Sequence, residues 1–390
     1  MKICVIICEF NPFHNGHAHL LRQARAISGC DKVVCVMSGA FTQRGEPAIL
    51  DKYTRARHAV LGGADLVLEL PAHFAVAPAE IFARGAVKIA AAIPGACALA
   101  FGCESGSRRQ FLAAAELLSD ESETFKKVLN EKLDGGESYI KSYCAAFEAC
   151  GGDGKLLASP NSVLGVEYAK AIKRAGADLE IYPVERVGAE YSDGELKENF
   201  SSASAIRGNL SSPLVENNVP AFVYEDLKGA KFCSGKFKAL SLYALLAAAT
   251  DDIKRVYGCG EGLENRLKDC ARLSFEEIIG KCTSKRYSSA RIRRILCANM
   301  LRLYADDAQK MLESDLYFKP LAVNSGCADE IFSALAGGAF PLLVRERDAC
   351  GLSEAQRVCL DGNIFADGVA AAVSGKNLHY YTFEKVTGNL

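Results

Sequence analysis

The sequence predicts an α/β fold: a parallel sheet flanked by helices in the first half, then a mostly helical C-terminal region. Three observations carry this. Short apolar runs rich in β-branched residues alternate with helical periodicity over residues 3–184, the pattern of βαβ units around a parallel sheet. Polar, glycine-bearing segments follow these runs, at the strand ends where open α/β sheets bind ligands. From about Leu210 the alternation stops, and residues 220–315 carry mostly helical patterning.

The elements follow in order. Ile3–Cys8 is an unbroken apolar run, expected as a strand buried on both faces. Glu9–Phe13 is a loop, with Asn11 biased to extended backbone by Pro12, and helical periodicity runs from Gly16 to about Ile27. Lys32–Met37 reads as a second strand ending in a long loop, Ser38–Pro47. Residues 51–62 read as a charged helix stopped by Gly62-Gly63. Ala64–Leu70 is a third strand closed by Pro71, followed by a helix over about Ala77–Ile93 and a fourth strand, Ala96–Phe101, that ends at Gly102-Cys103-Glu104. Residues 107–149 give two or three helices, and Gly151–Gly154 is a break. Ser159-Pro160-Asn161-Ser162 opens a helix over Val163–Ala175, Asp178–Val184 is a fifth strand, and Glu185–Tyr191 is its strand-end loop. Helices are expected at Leu240–Ala249, Leu263–Leu273, Phe275–Gly280 and Ala290–Leu303, while the tail, 316–390, is mixed. The expected division is 1–210 and 211–390.

Of the 390 residues, 49% are hydrophobic and 24% charged, with a net charge of −1. That is globular and excludes a disordered chain or a globally basic nucleic-acid binder, so any basic surface is local. The sixteen cysteines are scattered without a Cys-x-x-Cys pair, and Cys4, Cys8, Cys35 and Cys97 lie in strand-like runs. They read as buried free thiols. Lys2 precedes only a short apolar run, unlike a secretion signal, and Ala86–Phe101 is interrupted by Lys88 and Pro94. The expectation is a soluble, cytoplasmic protein with no membrane partner.

Three of the six histidines, His14, His17 and His19, fall within six residues. A strand, a tight turn and a helix starting near Gly16 present free N–H groups and a positive dipole end to a phosphate. His14-Asn15-Gly16-His17 fits the His-x-Gly-His pattern of class I aminoacyl-tRNA synthetases and related nucleotidylyltransferases. Two imidazoles at i and i+3 on a first helical turn can stabilise charge developing on the α-phosphate of ATP and on departing pyrophosphate. Gly16 would let the nucleotide approach the backbone closely. The plainer readings are two surface histidines, or a metal site from His14, His17 and His19. No cysteine or carboxylate pair lies at metal spacing on that helix, and no metal site is assigned.

Ser202-Ala203-Ser204-Ala205-Ile206-Arg207 is similar to the second nucleotidylyltransferase motif, in which hydroxyls, helix-start N–H groups and a guanidinium suit pyrophosphate. Alone it would be a serine N-cap. Arg44, Lys52, Arg55 and Arg57 lie near the second strand end. All but Arg44, in its glycine-flanked loop, read as a solvated face. Lys281, Lys285, Arg286, Arg291, Arg293, Arg294 and Arg302, with Tyr287 interleaved and no acid between Ile278 and Tyr304, form a candidate phosphate-backbone footprint. Lys285, Arg286, Arg291 and Arg294 are its expected nucleic-acid contacts.

Five blocks resemble the bacterial tRNA(Met) cytidine acetate ligase family: Glu9–His17, Met37–Ala48, Gly63–Pro71, Ser159–Tyr168 and Thr283–Tyr287. The resemblance runs in order from residue 2 to about 320. It departs at Ala40, where the family usually has Asn, and at Thr42, where it has Val. It implies a Rossmann-like parallel-sheet nucleotidyltransferase domain that makes acetyl-adenylate from ATP and acetate. The acetyl group then passes to N4 of the wobble cytidine of elongator tRNA(Met). The family's ATP contacts carry over to Ile7, Cys8, Glu9, Phe10, Asn11, Pro12, Phe13, His14, Asn15, Gly16, His17, Ala18, His19 and Leu20, and to Gly102, Asn161, Arg186 and Val187. His14 and His17 are expected to stabilise the transition state and Arg207 to hold phosphates. Mg2+ is expected with ATP because it neutralises the phosphates. The competing readings are a small-molecule adenylyltransferase and a non-catalytic RNA-binding protein built on a decayed nucleotidyltransferase.

Overall fold

The computed structural model describes residues 1–187, 194–230, 234–376 and 379–387. The strands are β1 (Ile3–Cys8), β2 (Lys32–Ser38), β3 (Phe41–Thr42), β4 (Glu46–Pro47), β5 (Leu66–Leu70), β6 (Ala96–Cys103), β7 (Glu180–Glu185), β8 (Pro320–Asn324) and β9 (Glu384–Val386). Seven of them form one sheet in the order β7-β6-β1-β2-β5-β8-β9. β1, β2, β5, β6 and β7 pair in parallel, as the alternating pattern predicts. The chain leaves β1 toward β2 on one side and reaches β6 on the other, so the carboxyl ends of β1 and β6 flank the topological switch point where such sheets bind ligands.

Strand alternation divides the core. Ile3, Val5, Ile7, Val34, Val36, Leu66 and Leu68 pack with Phe82, Phe111 and Val166 from the helices Ala79–Ala92, Arg108–Ser119 and Pro160–Ala175. Cys4, Ile6, Cys8, Cys35, Met37 and Val67 face the opposite way, onto Leu21 and Ala24 of the helix Asn15–Ser28 and Tyr53 and Ala56 of the helix Lys52–Leu61. Cys4, Cys8 and Cys35 are buried free thiols, as expected, and burial pushes Cys4 up to about 12.

Two features differ from the sequence reading. The segment Ser38–Pro47, expected as a loop, contains the antiparallel hairpin β3–β4. The tail contributes strands: β8 runs antiparallel to β5, and β9 parallel to β8. These strands are too short to carry a readable period. A third core joins Phe41 of the hairpin to Phe237, Phe275, Ile292, Ile295 and Leu296 of the C-terminal helices and to Ala366 of the helix Glu354–Ser374. Residues 188–191 of the loop expected after the fifth strand lie outside the described residues. Among the described residues no helix is long and apolar enough to cross a membrane.

The helix Lys52–Leu61 overturns the solvated-face expectation for Lys52 and Arg55, whose residues are fully buried. The Lys52 ammonium lies 2.7 Å from both Glu69 of β5 and Asp367 of the helix Glu354–Ser374. Burial opposes its charge, but the two carboxylates outweigh that and hold Lys52 above its ordinary range. Removing one member of a buried ion pair leaves uncompensated charge and costs about 3–5 kcal/mol. Lys52→Met should lower stability by that order in urea unfolding. A midpoint unchanged from wild type would show that this cluster does not hold the tail to the sheet.

Candidate active site

The helix Asn15–Ser28 begins with a cap built from two imidazoles. His14 is the N-cap residue, with extended backbone at φ −144°, and its Nδ1 accepts from the Gly16 N–H at 3.1 Å. His17 closes the box: its Nδ1 accepts from the His14 N–H at 3.3 Å. This is the reciprocal satisfaction of orphan helix donors that serine and glutamate usually supply. An Nδ1 that accepts carries no proton, so the remaining donor of each neutral ring is Nε2–H. The rings stack with centroids 3.6 Å apart. Burial, with the charges of Arg186 and Arg207, lowers His14 to about 3. Burial, His14 and Arg186 likewise hold His17 well below the ordinary histidine range. Both imidazoles are therefore neutral donors at pH 7. At Gly16 a Cβ would sit 2.9 Å from the His14 ring, so glycine preserves the ring position as well as an open backbone.

Phe10 has a left-handed backbone at φ 47°, which a bulky side chain rarely adopts and which costs of order 1–3 kcal/mol. Its buried ring compensates by packing edge-on to Phe13 and against His17. The loop is held from beneath by Arg55. This fully buried guanidinium donates to the carbonyls of Glu9 at 2.6 Å, Ser38 at 3.2 Å, Leu50 at 3.1 Å and Gly39. It ties the loop after β1 to the loop after β2. The Glu9 carboxylate makes a second tie, accepting from the Gln43 N–H at 2.6 Å and the Ser38 hydroxyl at 3.3 Å. Sequence reasoning missed Arg55. The available signal was Lys52 and Arg55 at i, i+3 on a helix starting at a strand-end loop, which puts both charges on one face.

The second motif lies against the first. Asn15 donates to the carbonyls of Asn199 at 3.1 Å and Asn217 at 2.8 Å, and Arg207 donates to the Asn11 carbonyl at 2.7 Å. Ser202 caps the short helix Ala203–Gly208, accepting from the Ala205 N–H at 3.1 Å. The plain capping role is thus real, while the same turn delivers Arg207 to the first loop. At the switch point a cavity is lined by His14, Gly16, His17, His19, Leu20, Gly102, Val184, Glu185, Arg186, Val187, Phe200 and Ser201. Of the ATP contacts expected from the sequence, His14, Gly16, His17, His19, Leu20, Gly102, Arg186 and Val187 line this space. Ile7, Cys8, Phe10, Asn11, Pro12 and Phe13 are buried and, like Glu9, Asn15 and Ala18, do not line it. Asn161 does not line the cavity: it donates to Glu104 at 2.6 Å, beside Ser159 and Ser162, which bond the same carboxylate. Among the described residues no group of three or more His, Cys, Asp or Glu side chains is disposed to hold a metal ion.

The basic run extends from Lys281 at the end of the helix Phe275–Cys282, through the following loop and the helix Ser289–Leu301, to its C-cap Arg302. Lys285, Arg286 and Arg293 are exposed, whereas Arg291 and Arg294 are partly buried. Arg291 donates to the Gly258 carbonyl at 2.7 Å, and burial with the nearby Arg291 charge lowers Arg294. The Tyr287 ring is buried, with its hydroxyl 3.2 Å from Glu261, so it is not a free stacking platform. The β3–β4 hairpin brings this helix to the site. Gly45, at φ +74°, lies so close that a Cβ would stand 2.7 Å from the backbone of Arg293 and Arg294.

Comparison with known proteins agrees with this geometry. The family model described as HIGH Nucleotidyl Transferase matches residues 1–337. The chain is 37% identical over 339 residues to a tRNA(Met) cytidine acetate ligase of Anoxybacillus flavithermus, covering 83% of this chain and 84% of that protein. It is 32% identical over 370 residues to the tRNA(Met) cytidine acetate ligase of Acetivibrio thermocellus, covering 89% of each. Among solved structures it is similar to Thermotoga maritima TmcAL bound with alpha-thio ATP, with TM-score 0.86, 26% identity and coverage of 98% of this chain and 100% of that one.

The buried histidines predict an acid-labile protein. His14 at about 3, His73 at about 4 and the depressed His17 stay neutral in the fold, while unfolded histidine protonates near 6.5. Below that value the unfolded state binds more protons, so stability falls with pH until the folded values are reached. Thermal unfolding without nucleotide should show Tm declining from about pH 6.5 toward pH 4. His73→Gln, which removes one titration away from the cavity, should make the decline shallower. An equal slope in wild type and variant would refute the assignment for His73.

Proposed function

The chain belongs to the HIGH nucleotidyl transferase family and groups within it with the tRNA(Met) cytidine acetate ligases; we propose that it activates acetate with ATP and acetylates N4 of the wobble cytidine of elongator tRNA(Met). The observation that carries the first step is the two-histidine cap. Acetate attacks the α-phosphate, and charge grows on the phosphoryl oxygens and the departing pyrophosphate. Nε2–H groups of His14 and His17, fixed by the Nδ1 bonds to backbone, are preorganised donors for that charge. Arg186 and Arg207, whose charges both reach His14, supply the cationic field for the triphosphate.

Binding of ATP is assigned to the segment Ile7–Leu20 with Gly102, Arg186 and Val187, and, on the family resemblance alone, to Asn161. Magnesium is taken to arrive on the triphosphate, held by phosphate oxygens and water. Residues 1–210 are taken as the adenylation part and 211–390 as the part contributing to tRNA binding, with β8 and β9 completing the sheet. Exposure favours Lys285 and Arg286 as phosphate contacts, while Arg291 and Arg294 act from a half-buried position. The tRNA named for the relatives supports a cytoplasmic location.

His17→Ala should lower acetate-dependent ATP–pyrophosphate exchange by at least about a hundredfold, the usual cost of losing a transition-state donor. Retained exchange would overturn its role. Incubation with ATP, acetate and tRNA should yield N4-acetylcytidine only when acetate is present. AMP transfer to a small phosphate acceptor instead would indicate the small-molecule adenylyltransferase. Lys285→Glu with Arg286→Glu should weaken tRNA binding and reduce the slope of log affinity against log salt by about 1–2, with exchange unchanged. An unchanged slope would remove both residues from the interface.

A further inference from the structure

We propose that Glu46 is the carboxylate that accepts the N4 hydrogen bond of the target cytidine and takes the N4 proton as the acetyl group is transferred. This rests on the acetyl-transfer reading above. Glu46 occupies β4, at the seam between the two chemical halves of the protein. On one side its Oε1 lies 3.4 Å from Arg207 Nη2, and the same guanidinium donates to Asn11 in the histidine loop. On the other side is the basic helix Ser289–Leu301. Gly45 abuts its backbone at Arg293 and Arg294, and the buried Cys297 thiol is pushed up first by burial and then by the Glu46 charge. A base held by that helix and an adenylate held by His14, His17 and Arg207 would meet at this hairpin.

The carboxylate is suited to the task. Its side chain remains 29% exposed, whereas the Glu9 carboxylate already accepts from Gln43 and Ser38. The contact with Arg207 at 3.4 Å is longer than a tight charge-assisted hydrogen bond, about 2.7–2.9 Å, so acceptor capacity remains. Carboxylates accept from cytosine N4, a donor that uracil lacks. The N4 lone pair is delocalised into the ring, so attack gains from proton removal in the transition state. In the step, N4 attacks the acetyl carbonyl carbon and the C–N bond forms. The bond from that carbon to the phosphoryl oxygen breaks, and AMP leaves with the electron pair. The N4 proton passes to the Glu46 carboxylate and then to solvent.

The test compares wild type, Glu46→Gln and Glu46→Asp with ATP, acetate and tRNA(Met) transcript, measuring exchange, acetyl-adenylate, N4-acetylcytidine and tRNA affinity. Glu46→Gln should lose transfer about a hundredfold beyond any change in exchange. Acetyl-adenylate should accumulate, tRNA affinity should hold within a few fold, and Glu46→Asp should recover part of the rate. Transfer at the wild-type rate overturns the proposal. So does a parallel fall of exchange and transfer, which would mean that Glu46 acts only by positioning Arg207. Absence of acetate-dependent exchange in the wild type would instead overturn the functional reading itself.

Discussion

The site depends on one buried guanidinium. Arg55 has left water completely, and its N–H groups are satisfied by carbonyls of Glu9, Ser38, Gly39 and Leu50. A buried charge is tolerated only when hydrogen-bonded, because the interior offers no solvent to replace the lost bonds. The consequence is positional: the loops after β1 and β2 cannot move apart without stranding that charge. The loop that delivers His14 and the loop that opens into the β3–β4 hairpin therefore share one anchor.

On that anchor the histidine cap sets the electrostatics. A helix start would ordinarily be capped by a hydroxyl or carboxylate. Here imidazole nitrogens do the capping, which fixes tautomers and leaves Nε2–H as the free donor of both rings. Burial and the neighbouring arginines keep the rings neutral, so repulsion from Arg186 and Arg207 is avoided in the nucleotide-free protein. An arriving triphosphate meets donors already oriented, and little reorganisation remains for the transition state.

The C-terminal half is interlocked with this arrangement. Its helices share a core with Phe41 of the hairpin, its strands extend the sheet beyond β5, and Asp367 completes the Lys52 cluster. At Gly45 the hairpin backbone abuts that of Arg293 and Arg294. Adenylation chemistry and the basic helix are therefore joined through rigid backbone contact, a geometry suited to handing a reactive intermediate over a short distance without release.

Local chemistry along the chain was enough to determine the parallel βα core, the strand-end position of Glu9–His17 and the pairing of that motif with Ser202–Arg207. Apolar period, turn residues and motif spacing are properties of neighbouring residues, and they survive without knowledge of the fold. Other features belong to tertiary structure alone. Lys52 and Arg55 look like a solvated face until Glu69, Asp367 and four carbonyls close around them. Asn161 lies in a helix start, as its sequence suggests, but that its amide is taken up by Glu104 is visible only in the fold. β8 and β9 are strands because β5 presents an unpaired edge, not because their few residues insist on it. In each case the deciding partner lies far away in sequence, and only packing supplies the desolvation or the hydrogen bond that fixes the outcome.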